Sequence, residues 1–529
     1  MFDYLIQNGT LIDGTGAPAA AGDVAIKDGK IAAVGDLKDA SAGTVLDAAG
    51  KYVTPGFIDI HRHADAALFR PHFGELELKQ GLTTIVNGNC GLSVTPCSGP
   101  YRGEIEAYLT PVTGELPADA DCSSMQAYLD AARRQPSPIH TAMLAGSGTI
   151  RACAAGFSAP TLDAAQLRTV RSLIERELAA GALGVSLGLG YAPDCFYSTE
   201  TLIEALRPLQ DSGIPITVHM RQEGGGVAES VREMIAVARA LNCPVHISHL
   251  KAMGRDNWGK KIPQVLTLLE QAQNEGLRVD CDVYPYTAGS TQLLHILPPD
   301  YLTGGMEAVV ERLRDQSVRR ELAERIESGV GFDDIAKLAG WDGIYLTSLH
   351  CPEDHPYQGH NLMEIAALMG QDPLSSCCEL LAREHGQITM IDFMASEEDI
   401  CAILRSPLSC VISDATYPTE GQLHPRVCGN VTHLLEHFVR EKKALSWEQA
   451  VHKLTGRPAQ VLGLTGKGRL EAGCDADVCM FAPEALHERA TYTEPQQTSQ
   501  GMSLVLVAGE IALENGKPTG ICAGRAVRR

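Results

Sequence analysis

No stretch of 18 apolar residues occurs anywhere in the 529-residue chain, so no segment reads as a membrane-crossing helix. A basic segment followed by an apolar one is also missing from the opening "MFDYLIQNGTLIDG", which gives no sign of a secretory leader. Positive charge is in deficit: 44 Lys and Arg stand against 65 Asp and Glu, a formal charge of -21. That balance argues against nucleic acid and anionic membrane surfaces as partners, because both require clustered cations. A small-molecule substrate and a cytoplasmic location are expected instead. Sixteen cysteines are present, but they form no CxxC pair and no regular framework, so they read as reduced thiols. Aromatic residues make up only 5% of the chain, and no low-complexity segment or internal repeat appears.

What is present is punctuated β-structure at both ends and strand-helix alternation between them. Residues 1–55 contain "YLIQNGTLIDG", "AGDVAIKDGKIAAVG" and "TVLDAAGKYVTPG", short alternating strands broken by Gly, Asp and Asn. The same texture returns over 466–529, and the two ends are expected to pair into one small β-sandwich domain. Residues 56–465 alternate short apolar runs with helical stretches, the pattern of parallel β/α units and of a (β/α)8 TIM-like barrel. Nine runs qualify as strands: "GFIDIH", "TTIVNG", "HTAMLA", "LGVSLGL", "PITVHM", "PVHISH", "RVDCDVY", "ITMIDF" and "SCVISD". Nine exceeds eight, so one belongs elsewhere. The stretch 287–350, with its charged helical run "AVVERLRDQSVRRELAERIESG", is the expected insertion or lid.

Loops beyond the C-terminal ends of barrel strands build active sites in this architecture. His61 and His63 end the first run and, two residues apart on an extended segment, face the same way. Cys90 ends "TTIVNGNC", His219 ends "PITVHM", His249 ends "PVHISH" and Asp414 ends "SCVISD". A single strand histidine is more often a hydrogen-bonded core residue, and an Asp after a strand is more often a cap. Six such residues at the same end of their strands are better explained together, as a metal site. The histidines of "EDHPYQGH" and "LLEHF" have no such placement and read as surface or core residues. Imidazole, thiolate and carboxylate donors together suit Zn²⁺ with three protein ligands and one open position. Water bound there has its pKa lowered to about 7, and a neighbouring carboxylate can carry the proton. Hydrolysis is the chemistry indicated.

"PGFIDIHRH", the later strand-end histidines and Asp414 resemble the amidohydrolase superfamily. "GNCG", "GLGYAP", "SHLKAMG", "DVYPY", "ISD" and "HPR" resemble its D-aminoacylase branch, the N-acyl-D-amino-acid deacylases, over nearly the whole chain. Binuclear superfamily members carry a carboxylated lysine on the fourth strand, whereas "LGVSLGLG" holds no Lys or Glu. The resemblance implies that Cys90 takes over as a ligand with His219 and His249, making one tight zinc site. His61, His63 and Asp414 would then border a second, weaker metal position that Cys90 bridges. It further implies Asp414 as general base and acid, and Tyr191, Lys251, Tyr284 and Arg426 as substrate-binding residues. Two departures, Arg62 and Ala415, are expected to alter the pocket wall. The implied activity is cleavage of an N-acyl-D-amino acid into a carboxylate and a free D-amino acid. A hydrolase opening a cyclic amide or imide is the nearest alternative, and a metal-binding protein without catalysis is a more distant one.

Overall fold

The computed structural model describes residues 1–329 and 331–529. Eight parallel strands form the central barrel: Phe57–Asp59, Leu82–Asn87, His140–Met143, Val185–Gly188, Ile216–His219, Val245–Ile247, Val279–Val283 and Ser409–Val411. Consecutive strands pair in parallel from the first to the third and from the fourth to the eighth. Ala145–Gly146, which continues the third strand, pairs with the fourth. The eighth returns to the first through Asp414 N donating to His61 O and His63 N donating to Ala415 O, both at 2.9 Å. The second strand, LTTIVN, is buried at every position. That is the profile of a strand covered on both faces, and it explains why these runs lack a polar alternation.

Helices coat the barrel with their apolar stripes inward. In Val227–Leu241 the buried positions Val227, Val231, Met234, Ala238 and Leu241 recur at three- and four-residue spacing, and Asn242 ends the helix in the left-handed conformation. Ala164–Ala179 starts at Asp163, whose carboxylate accepts from Ala165 N and Gln166 N while the Gln166 side chain caps back. No described helix is long and apolar enough to cross a membrane.

The two ends of the chain share one nine-stranded sheet. Its seam is the antiparallel pair of Tyr52–Pro55 with Val478–Phe481, and Phe2–Leu11 splits its pairing between Ala42–Asp47 and Tyr52–Pro55. A separate core of Ile6, Val24, Ile26, Val53, Val478 and Leu506 fills it. Between the seventh and eighth strands lies a long insertion. It carries the helices Met306–Arg314, Gln316–Ser328, Leu362–Met369 and Pro373–Arg383, together with an antiparallel sheet. That sheet is ordered Ala288–Gln292, Thr389–Phe393, Ile344–Ser348. The ninth candidate run, "ITMIDF", is its central strand and not a barrel strand. A short, mostly apolar run has the same signature in either setting.

Candidate metal centre

All six strand-end residues converge at one mouth of the barrel. Cys90 Sγ lies 3.2 Å from His61 Nε2 and 3.4 Å from His249 Nε2, and His249 Nε2 lies 3.1 Å from His219 Nδ1. Asp414 Oδ1 stands 3.3 Å from Nε2 of both His61 and His63. Three of the six residues adopt left-handed backbone angles despite carrying side chains: Cys90 at φ 53°, His249 at 37° and Asp414 at 54°. Such conformations are costly for residues with a Cβ and persist where the surroundings impose them, typically at functional sites. Here they turn each side chain back over the barrel axis.

The Cys90 loop is held by the fourth strand. Ser186 Oγ accepts from Gly91 N at 3.0 Å and donates to Gly88 O at 2.5 Å. A Cβ on Gly188 would come 2.0 Å from Cys90 O, so only glycine permits this approach. Asp194 completes the clamp by accepting from Gly188 N at 3.1 Å and Ser147 Oγ at 3.2 Å. Burial pushes its carboxyl up to about 6, with Gly188 N and Arg151 acting in the opposite sense. The fourth strand, which has no lysine to offer a metal, thus positions the cysteine instead.

The donor set fits a divalent metal. Ligand atoms of His61, Cys90, His249 and Asp414 all lie within 4.8 Å of one another, and a second overlapping group joins His219, Glu223 and His249. Burial, followed by the charges of Asp414 and Glu223, holds the Cys90 thiol well above its ordinary range, so the protein alone does not sustain the thiolate. A bound dication supplies the missing positive charge. Burial likewise keeps His219 well below its usual value and His63 at about 4, leaving neutral imidazoles, the form that ligates metals. A further donor group in the insertion, Cys351, Asp354 and Glu384, is already engaged. Arg383 takes Asp354, while the backbone N–H groups of His350 and Cys351 take Glu384.

Several supporting residues were not evident in the sequence. Glu223 accepts from His249 Nδ1 at 2.9 Å and pairs with Lys251 Nζ at 2.6 Å, which turns His249 Nε2 toward the cluster. Burial raises the pKa of Glu223, but Lys251, His219 and His249 outweigh it and hold the carboxyl well below its usual range. Asp282 accepts from the backbone N–H of His249 and from His246 Nε2 at 2.8 Å, beneath the cluster. His295, from the insertion, packs its ring 4.9 Å from Tyr191 and 5.7 Å from His219.

A small cavity of about 30 Å³ opens over the cluster, and Tyr191, Lys251 and Tyr284 line it. Tyr191 Oη shares a 2.8 Å hydrogen bond with Thr291 Oγ1, and its ring lies 4.4 Å from that of His219. Arg426 lies at the start of helix Arg426–His433, fully buried behind Asp414. Its Nη1 pairs with Asp414 Oδ2 at 3.1 Å, its Nη2 donates to Ser290 O, and its Nε has no hydrogen-bond acceptor. Lys251 and Arg426 flank the Tyr284 ring at 5.9 and 4.9 Å. Burial raises the pKa of Asp414, but Arg426 and hydrogen bonds from His61 and His63 hold it well below the usual carboxylate range. Arg62 does not join the pocket wall. It points away from its neighbouring histidines, into Glu77 at 3.0 Å, Asp59 at 3.3 Å and the Tyr417 hydroxyl. Strand alternation forces this, since Arg62 lies between two inward residues. Ala415 is likewise absent from the cavity lining.

Residues 44–513 match the Amidohydrolase family. The chain is 33% identical to a D-aminoacylase of Alcaligenes xylosoxydans xylosoxydans, over 100% of this chain and 98% of that protein. It is 34% identical to an N-acyl-D-glutamate deacylase of the same organism, over 100% of this chain and 96% of that one. A crystal structure of N-acyl-D-glutamate deacylase from Bordetella bronchiseptica, complexed with zinc and a phosphonate mimic of the tetrahedral intermediate, matches with a TM-score of 0.83. That match is 32% identical and covers 100% of both chains. Full-length similarity, together with a cysteine-containing donor cluster in place of a fourth-strand lysine, leads to one assignment: the chain belongs to the amidohydrolase family, in its D-aminoacylase branch.

Proposed function

We propose that the protein hydrolyses the amide bond of N-acyl-D-amino acids, releasing a carboxylate and a free D-amino acid, with Cys90, His219 and His249 holding zinc. His61, His63 and Asp414 border a second, weaker position. Zinc held by Cys90, His219 and His249 would lower the pKa of bound water and polarise the acyl carbonyl. The observation that carries the reading is the placement of Asp414: one carboxylate oxygen faces His61 and His63, and the other faces Arg426. Held ionised by these neighbours, Asp414 takes a proton from water and returns it to the departing amine nitrogen. Tyr191 keeps its hydroxyl proton, since burial raises its pKa well above the ordinary value, and can donate to the acyl oxygen.

The substrate carboxylate fits beside Tyr284, between Lys251 and Arg426. Lys251 donates to Glu223 and to His249 O, and Arg426 Nε is a buried donor without an acceptor. The sheet shared by residues 1–55 and 466–529 supports reading them as one domain, with 56–465 as the catalytic barrel and the insertion as its lid. No described pair of cysteines is joined, and the acidic surface offers nothing to polyanions; both features support a reducing, cytoplasmic setting and small-molecule partners. The test is a zinc-loaded assay on the two enantiomers of N-acetylmethionine. Free D-methionine and acetate are expected, with the L-enantiomer left intact. Release from the L-enantiomer at a similar rate would reject the reading.

A further inference from the structure

Three carboxylates border the cavity, and two of them have partners. Asp414 faces Arg426 and two histidines, and Glu223 faces Lys251 and His249. The third is Asp392, carried by the central strand of the inserted sheet. It is only 3% exposed, and its own backbone N–H donates to it while, among the described residues, no other side chain donates to it and Lys251 and Arg426 act on it only through their charge. Burying a carboxylate without a paired cation is unfavourable unless a ligand supplies one. Burial pushes its carboxyl up to about 7, against the pull of Lys251 and Arg426.

The local geometry sets Asp392 in the cavity wall with Lys251, Tyr284 and Asp414. Gly289 pairs with Asp392 across the antiparallel ladder. A Cβ there would come 2.9 Å from Asp392 Oδ1 and 3.3 Å from the Tyr284 hydroxyl. The nearest atom to it would be the Met394 methyl at 2.5 Å, so glycine lets this strand close against Met394, Asp392 and Tyr284 and sets Asp392 beside the tyrosine near which the substrate carboxylate is placed. The side chain of an amino acid is attached one bond from that carboxylate. An acidic side chain reaching Asp392 meets a like charge, and an apolar one leaves Asp392 buried and unpaired. An ammonium or guanidinium provides the counter-charge.

We propose that Asp392 selects N-acyl-D-amino acids with a cationic side chain, of the lysine, ornithine or arginine class. This inference rests on the deacylase reading above. The test compares the zinc-loaded enzyme on N-acetyl-D-lysine and on N-acetyl-D-norleucine, which has the same chain length without the ammonium. Wild type is expected to favour the lysine compound about thirtyfold or more in kcat/KM, as for a desolvated charge pair. Asp392→Asn should erase that ratio, with the loss confined to the lysine compound and norleucine changed by less than about threefold. The wild-type ratio stands as a test by itself should the variant fail to fold. Equal or better turnover of norleucine by wild type overturns the proposal and leaves the deacylase reading intact. Equal losses on both compounds in Asp392→Asn also overturn it, because Asp392 is then only a counter-charge for Lys251 and Arg426. If neither of these compounds nor N-acetyl-D-methionine is hydrolysed, the deacylase reading falls and takes this proposal with it.

Discussion

Asp414 and Arg426 are buried neighbours, Oδ2 to Nη1 at 3.1 Å, and the Nε of the same guanidinium is left without an acceptor. One side chain thus serves the proton-carrying carboxylate and faces the place assigned to the substrate carboxylate. Arg426→Lys retains the charge but loses the planar fork. A cost of about 2 to 5 kcal/mol in kcat/KM on an N-acetyl-D-amino acid is expected. An N-acyl amine without the carboxylate should be a poor wild-type substrate and should lose little more in the variant. Equal losses on both compounds would confine Arg426 to holding Asp414.

Gly188 is the point where the fourth strand meets the cysteine loop. Gly188→Ala places a methyl 2.0 Å from Cys90 O, so the loop must move. Circular dichroism should remain that of the folded protein while zinc affinity, measured by competition with a chelator, falls by about 10- to 100-fold, as when support for a ligand is lost. Unchanged zinc affinity would show that Cys90 does not depend on this contact.

Most of the donor cluster is legible in the sequence because its side chains come from strand ends, and strand ends show as apolar runs that stop at a polar residue. His61, His63, Cys90, His219, His249 and Asp414 were all found in that way. Glu223 was not, because it sits four residues past His219 in the glycine-rich "RQEGGG", where no periodicity marks it. Asp392 was hidden differently: its strand, TMIDF, was read as a ninth barrel candidate, which put the carboxylate in the wrong layer. The left-handed backbone of Cys90 was also not visible, since its flanking glycines drew attention to themselves. In the structure Gly88, Cys90 and Gly91 all take positive φ. Interactions between elements distant in the chain, such as Ser186 with Gly88, leave no trace in local pattern.

Acid stability is expected to hinge on Asp477, where the terminal sheet meets the barrel. It accepts from His140 Nε2 at 3.1 Å, Lys467 Nζ at 2.6 Å and Ala508 N at 2.8 Å. Burial acts to raise its pKa, but His140 and Lys467 prevail and depress it far below the ordinary 3.8. A carboxyl depressed on folding stabilises the native state fully above its unfolded value, and the contribution is lost as pH falls below about 4. Urea midpoints followed from pH 7 to pH 3 should therefore drop steeply at the acid end. Asp477→Asn should cost about 1 to 3 kcal/mol at pH 7, because His140 and Lys467 lose a charged acceptor while Lys467 keeps Asp475 at 3.0 Å, and should flatten that acid slope. An acid slope unchanged in the variant would place the acid-sensitive group elsewhere.

The decisive measurement sets zinc content beside turnover in wild type and Asp414→Asn. Three strong donors, Cys90, His219 and His249, should retain about one zinc per chain in both proteins, since three protein ligands and a water complete a catalytic site. The amide cannot carry a proton, so kcat on an N-acetyl-D-amino acid should fall by about 10² to 10⁴. Zinc retained with turnover close to wild type would contradict the role given to Asp414, and wild-type protein that binds no zinc would contradict the metal centre itself.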